Sequence, residues 1–234
     1  MNRTLFAAAI TGALCFSSMA FAKGTSTTIQ IIMDDSGVLI EPATAYEYRI
    51  TLLGHMKQLT RKRELANAHI DVISTSLGRT IWSGTPSDLK RKPERALKLV
   101  ESIKANPSNC NNLPGSFVEL ESNLTSLKRR KFNTAHVVVF SSLIHTPRPC
   151  TTNTSIVLPQ MPPAQGNINS TLSSSSMVRS LNFYWVSPHQ KRVWEEFLKP
   201  TFDWALMKGV NMTFMDIERS KFSLEKGLEL EVSK

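Results

Sequence analysis

The chain has 234 residues, with 28 Lys and Arg against 19 Asp and Glu, a formal net charge of +9 and 41% hydrophobic residues. That length and apolar content suffice for one α/β domain with a real core. No stretch after the first 22 residues approaches the apolar length that a bilayer span requires. The positive balance points to acidic partners or anionic surfaces, without choosing among lipid, nucleic acid and protein.

Met1–Ala22 reads as a signal peptide. Arg3 supplies the positive start, Leu5–Leu14 the apolar stretch and Ala20-Phe21-Ala22 the small-residue cleavage signal. Export is therefore expected, to the periplasm of a Gram-negative cell or otherwise to the outside. Residues 23–234 then form a single domain and keep two of the three cysteines, Cys110 and Cys150. An exported pair in an oxidising compartment usually forms a disulfide.

Thr27–Ile40 opens the fold. An apolar strand, Ile29 to Met33, stops at Asp34-Asp35-Ser36-Gly37. A strand that delivers Asp, Ser and Gly to its C-terminal end is how open α/β sheets build sites. Glu41–Ala66 carries Tyr48, Leu52, Leu53, Met56 and Leu59 at helical spacing and ends in Arg61-Lys62-Arg63, cations that suit a helix C-terminus. His69–Ser74 and Arg79–Ser83, joined through Gly78, read as a hairpin. Thr85-Pro86-Ser87-Asp88 reads as a turn, Pro93–Lys104 as a helix, Asn106–Gly115 as a polar loop and Phe117–Arg130 as a helix closing in Lys128-Arg129-Arg130-Lys131.

Ala135–Ile144 contains a continuous apolar strand that stops at Ser141-Ser142, as expected of a central parallel strand buried on both faces. His145–Ser180 breaks the rhythm with a Ser/Thr/Asn/Pro-rich insert. Leu181–Val186 is the next strand. Pro188–Lys208 is an amphipathic helix that Pro200 should kink or split. Val210–Ile217 is the last strand, and Glu218–Lys234 reads as a charged tail. Strands alternating with helices predict a doubly wound α/β fold: a mostly parallel central sheet, helices on both faces and one antiparallel edge hairpin strand.

With these residues in place, most of Thr27–Ile217 resembles a von Willebrand factor A domain. In that family the first strand ends in D-x-S-x-S, which opens a metal-ion-dependent adhesion site; a hairpin, a Gly-Thr loop and a strand ending in Thr-Asp-Gly follow. Asp34 and Ser36 match the first motif, and Val38 replaces its second Ser. Pro114-Gly115-Ser116 stands at the Gly-Thr position, and Ser141-Ser142-Leu143 where Thr-Asp-Gly would be, so the second acid is missing.

The resemblance implies a metal site reduced to Asp34, Ser36 and Ser116, holding Mg²⁺ or Mn²⁺ weakly or not at all, since Mg²⁺ needs near-octahedral oxygen ligation. It also implies a Cys110–Cys150 disulfide clamping the rim of that site, and a partner-binding rim that includes Asp35, Gly37, Ser141 and Ser142. The function implied is a non-enzymatic protein–protein interaction module, a subunit or accessory of a cell-envelope assembly. A divergent haloacid-dehalogenase-like phosphotransferase or hydrolase using Asp34 is the alternative. There the acid/base position falls on Ser36, which cannot do a carboxylate's work. A basic envelope protein binding anionic surfaces is the third reading.

The five histidines show no metal-binding spacing, and neither a GxSxG elbow nor a P-loop is present. Arg61, Lys62, Arg63, Lys128, Arg129, Arg130 and Lys131 both close helices and offer contact with an anionic membrane surface. Solvated helix ends are the simpler account of them. Nucleic acid is not expected, because aromatics interleaved with these charges are absent. Asn123-Leu124-Thr125 and Asn153-Thr154-Ser155 match glycosylation acceptors.

Overall fold

The structure, a computed structural model, describes residues 26–36, 42–102, 110–146, 158–162, 176–207, 209–226, 228 and 230. Within these, the side chains of 42–49, 100, 102 and 201–207 are left aside. The expected signal peptide, Gly37, Cys150, most of the insert and Asn153 lie outside the described residues.

Six strands form one sheet: β1 (Thr27–Met33), β2 (His69–Ser74), β3 (Arg79–Gly84), β4 (Thr134–Phe140), β5 (Val178–Tyr184) and β6 (Asn211–Phe214). Their order is β3-β2-β1-β4-β5-β6. Every neighbouring pair is parallel except β2 and β3, which form the antiparallel edge hairpin. The helices are α1 (Pro42–Gln58), α2 (Pro86–Arg91), α3 (Pro93–Ser102), α4 (Leu113–Arg129), α5 (Pro188–Met207) and α6 (Ile217–Lys226).

Both sheet faces are covered, which is why β1 and β4 read as unbroken apolar runs. Ile29, Ile31 and Met33 of β1 pack with Val138 and Phe140 of β4 against Leu52 and Met56 of α1, Leu89 of α2 and Leu224 of α6. Ile32, Val137 and Val139 point to the opposite face and meet Phe117, Leu120 and Leu124 of α4 and Trp194 of α5. The doubly wound fold follows from this alternation along each strand. Among the described residues no helix is long and apolar enough to cross a membrane.

Several boundaries differ from the sequence expectation for local reasons. The first helix stops at Gln58 and passes through a 3-10 turn, Leu59–Arg61, because Lys62 is extended (φ −94°, ψ 109°). The expected turn at Thr85 is a helix N-terminus: Thr85 Oγ1 accepts the Asp88 N–H at 3.0 Å and Pro86 opens α2. α4 begins four residues before Phe117, since Asn112 caps it through the Gly115 N–H and Pro114 sits in its first turn. α5 runs through Pro200 as one helix rather than splitting.

The C-terminal tail is in part a helix. α6 carries Ser220 and Leu224 into the core, and Leu228 and Leu230 are buried after it. Asn123 lies mid-helix in α4 with its Nδ2 on Thr80 Oγ1 at 2.9 Å and Gln30 Oε1 at 3.3 Å, inside a polar network rather than in a glycosylation loop.

Candidate functional site

From β1 the chain winds to β2 on one side, and from β4 it winds to β5 on the other. The sheet therefore reverses direction between β1 and β4, and the crevice beyond their C-terminal ends is where open α/β sheets hold ligands. Asp34 and Ser141 are the residues immediately past those two ends. Asp34 N–H donates to Phe140 C=O at 2.8 Å and Ser141 N–H to Tyr184 C=O at 3.1 Å, so pairing continues one residue beyond the strands and aims both side chains into the crevice mouth.

Both oxygens of Asp34 are engaged. Oδ1 accepts the Ser36 N–H at 3.0 Å and the Ser36 hydroxyl. Oδ2 accepts Asn111 Nδ2 at 2.7 Å and the Ser141 hydroxyl at 3.4 Å. Burial pushes the Asp34 carboxyl up to about 6. The Ser36 hydrogen bonds work against that rise, the neighbouring Asp35 charge adds to it, and the Ser141 bond opposes it. The residue keeps partial access to solvent.

Asp35 turns the other way and is buried. Its Oδ2 accepts the hydroxyls of Ser74 at 2.6 Å and Ser76 at 2.7 Å, and its Oδ1 accepts the Ser76 N–H at 2.9 Å. It ties β1 to the end of β2. Ser141 and Ser142 are also buried, and they cap their own loop: Leu143 N–H donates to Ser141 Oγ at 3.1 Å and Ile144 N–H to Ser142 Oγ at 3.3 Å. Asp35, Ser141 and Ser142, expected at the contact rim, are thus buried and hydrogen-bonded within the protein.

Leu143, at the position of the resemblance's Gly, takes the left-handed conformation that favours glycine (φ 63°). Gln190 Nε2 at 2.9 Å and Trp194 Nε1 at 3.1 Å, both from α5, hold its carbonyl. Ser116 lies inside the first turns of α4 rather than in a loop. Its hydroxyl is taken up by the carbonyls of Asn112 at 3.1 Å and Ser74 at 3.4 Å.

The residue that sequence reasoning missed is Asn111. It is buried, and its Nδ2 donates to Asp34 Oδ2 at 2.7 Å and Ile144 C=O at 2.7 Å, with Ser141 Oγ at 3.3 Å. Its Oδ1 has no hydrogen-bond partner among the described residues. Its backbone exchanges bonds with Thr146, N–H to Oγ1 at 2.6 Å and C=O from N–H at 3.0 Å. The preceding residue, Cys110, is disulfide-bonded; its expected partner, Cys150, lies outside the described residues. One signal could have located Asn111: Asn112-Leu113-Pro114 is a helix-start pattern, which sets the preceding residue at the mouth of the crevice.

The oxygens that the resemblance assigns to a hard divalent cation are taken up by hydrogen bonds within the protein. Such an ion needs oxygen lone pairs converging on it. Here Asp34, Ser141 and the Ile144 carbonyl converge on an amide NH₂, and the Ser116 hydroxyl points at backbone carbonyls. Among the described residues no three His, Cys, Asp or Glu cluster.

Part of the insert covers the same edge. Gln160 brackets the His145 backbone, accepting its N–H at 2.9 Å and donating to its C=O at 3.0 Å, while Gln160 N–H donates to Gln190 Oε1 at 2.7 Å. Leu158 and Met161 on this segment are exposed, Met161 at 74%.

No family model matches the sequence, and no curated protein matches it. Solved structures do share the fold. A point mutant of the PilB minor pilin from Streptococcus sanguinis superposes with a TM-score of 0.52 at 9% identity, over 88% of this chain and 61% of that one. Proximal thread matrix protein 1 from the mussel byssus gives 0.52 at 12% identity, over 86% and 47%. The pilus adhesin SpaC from Lactobacillus rhamnosus GG gives 0.48 at 10%, over 86% and 30%. For the first two the likeness is one of fold. The chain spans less than two thirds of each of these proteins.

Proposed function

We propose that the chain is an exported, non-enzymatic protein-interaction module of the von Willebrand A type, serving in a cell-envelope assembly, whose ancestral metal position is filled by the Asn111 amide. The carrying observation is the convergence of Asp34, Ser141 and the Ile144 carbonyl on Asn111 Nδ2. An NH₂ group donates to the oxygens that a cation would otherwise bridge, so the three loops at the crevice are joined without an ion. The fold shared with a minor pilin and a byssus matrix protein supports a scaffold role.

The same contacts count against Asp34 as a nucleophile. Each of its oxygens already accepts hydrogen bonds, and the neighbouring Ser36 donates to it rather than acting as a second carboxylate. Partner contact falls instead to the exposed apolar pair Leu158 and Met161, which Gln160 holds over the His145 end of the crevice.

Photo-crosslinking in the producing cells tests this reading, with the probe placed at Met161 and, as control, at exposed Leu97 on α3. A discrete adduct from Met161 that persists in chelator is the expected result. An adduct that vanishes in chelator would overturn the metal-free site. Phosphate-ester turnover lost in Asp34→Asn would overturn the non-enzymatic reading.

A further inference from the structure

The opposite end of the sheet carries a second surface. α1 and α4 both start at the crevice end and run antiparallel to the strands, so both finish at the N-terminal end of the sheet. There they deliver Arg61, Lys62, Arg63, Lys128, Arg129, Arg130 and Lys131, all exposed. None of the seven forms an ion pair among the described residues.

Three segments meet at this end. Arg63 and Phe132 line one cavity of 490 Å³ together with Ser26, Thr27, Glu64 and Asn67. The Arg130 guanidinium lies 5.5 Å from the Phe132 ring centre, and Phe132 packs 5.8 Å from the His69 ring. From the other side, Lys62 and Arg179 both act electrostatically on buried His136. Glu64 is the one carboxylate among the described residues that line the cavity.

The start of the domain adds charge to the same end. Ser26 and Thr27 line this cavity, so the preceding sequence joins the domain here. That sequence holds Lys23 and the apolar Leu5–Leu14 stretch. Cleavage after Ala22, as the sequence predicts, leaves Lys23 and a new α-amino group within four residues of the cavity, two further cations close to this end.

We propose that the basic end formed by Arg61–Arg63 and Lys128–Lys131 docks on the phosphate headgroups of an anionic lipid bilayer. This is a second surface, independent of the crevice. Each Lys or Arg near such a surface strengthens partitioning roughly fivefold. Salt weakens it as the screening length falls from about 10 Å at 0.1 M to about 3 Å at 1 M.

Flotation of the protein with vesicles of phosphatidylcholine, with and without phosphatidylglycerol, tests the proposal. Binding only to the phosphatidylglycerol vesicles, fading with salt, is expected. Arg129→Gln, Arg130→Gln and Lys131→Gln together should lower partitioning roughly hundredfold. The set Arg61→Gln, Lys62→Gln and Arg63→Gln should do the same by an independent route. Arg192→Gln, Arg219→Gln and Lys221→Gln, exposed cations near the starts of α5 and α6, should leave it unchanged.

Equal binding to both vesicles, binding to neither, or equal loss in the control set would each overturn the proposal. So would binding to an acidic protein or a polynucleotide by a protein that ignores the vesicles. None of these outcomes bears on chelator-resistant crosslinking at Met161, so the two readings fail separately.

Discussion

Asn111 stands directly against Asp34, with Nδ2 2.7 Å from Asp34 Oδ2, and joins loops that are 77 residues apart in sequence. Replacing the amide by a carboxylate sets two acids against each other in a half-enclosed crevice. Asn111→Asp should destabilise the protein by about 3 kcal/mol at neutral pH in chelator, by like-charge repulsion and lost donors. Millimolar Mg²⁺ or Mn²⁺ should then restore most of the melting temperature, whereas the parent protein should not respond. A variant that stays indifferent to both ions would count against the amide's standing in a cation's place.

Asp35, beside that site, ties the end of β1 to the end of β2. Asp35→Ala removes the carboxylate that takes up the Ser76 N–H and the Ser74 and Ser76 hydroxyls at the junction of β1 and β2, while the two hydroxyls keep their contact with each other at 3.1 Å. A loss of about 2–3 kcal/mol is expected in urea unfolding, from removing an ionised acceptor of three buried hydrogen bonds. A loss below about 1 kcal/mol would mean that water replaces the carboxylate.

Acid stability holds two opposed contributions. Asp34 has a folded pKa of about 6 against an ordinary 3.8, so its contribution is fully present below 3.8 and is lost as pH rises through 6. His136 is held at about 4 against 6.5 by burial, with Arg179 and Lys62 adding to the effect. The unfolded chain therefore binds its proton more readily, and that contribution is lost as pH falls from 6.5 to 4.

Each shift corresponds to roughly 3 kcal/mol, with the Asp34 share trimmed by its partial exposure, so the two nearly cancel across this window. Burial lowers His55 and His145 as well, which tips the balance toward acid sensitivity. Asp34→Asn removes the opposing contribution. Its unfolding free energy should fall more steeply than the parent's between pH 6.5 and pH 4. Parallel curves in a urea series would refute the assignment.

Lys131 closes α4 in a conformation that suits glycine. Its φ is 68°, its N–H donates to Lys128 C=O at 3.0 Å, and Phe132 N–H donates to Leu127 C=O at 3.1 Å, the paired bonds of a Schellman cap. Lys131→Gly relieves the left-handed strain and gives back part of that gain in unfolded-chain entropy. A net stabilisation of about 0.5–1 kcal/mol is expected, raising Tm by roughly 2 °C. A lower Tm would show that the Lys131 side chain contributes more than the strain costs.

Ser220 of α6 fixes the end of β5. Its Oγ accepts the N–H of Trp185, itself left-handed at φ 62°, at 2.8 Å in a buried setting. Ser220→Ala should cost about 2 kcal/mol by removing the hydroxyl to which that buried N–H donates. Ser220→Thr should recover much of it in the same chemical denaturation assay, provided the extra methyl is accommodated.

The alternation of strands and helices was legible in the sequence because burial on both faces forces continuous apolar runs such as Val137–Phe140. Asp34 stood out because polar residues halt such a run abruptly. The hairpin at Gly78 announced itself through a left-handed turn residue. Capping decided the missed helix starts: the Thr85 and Asn112 side chains were readable as polar loop residues until their bonds to Asp88 and Gly115 were seen. The Glu218–Lys226 stretch looked like a solvated tail because its buried residues, Ser220, Ser223 and Leu224, include only one large apolar side chain.

By itself the sequence determined the fold class and the strand end on which the crevice is built, since periodicity and termination are local properties. Tertiary structure alone decided what the crevice contains. Hydrogen bonds among Asp34, Asn111, Ser141 and Ile144 depend on three loops meeting at a topological switch point, and no local pattern encodes the distance between residues so far apart in the chain.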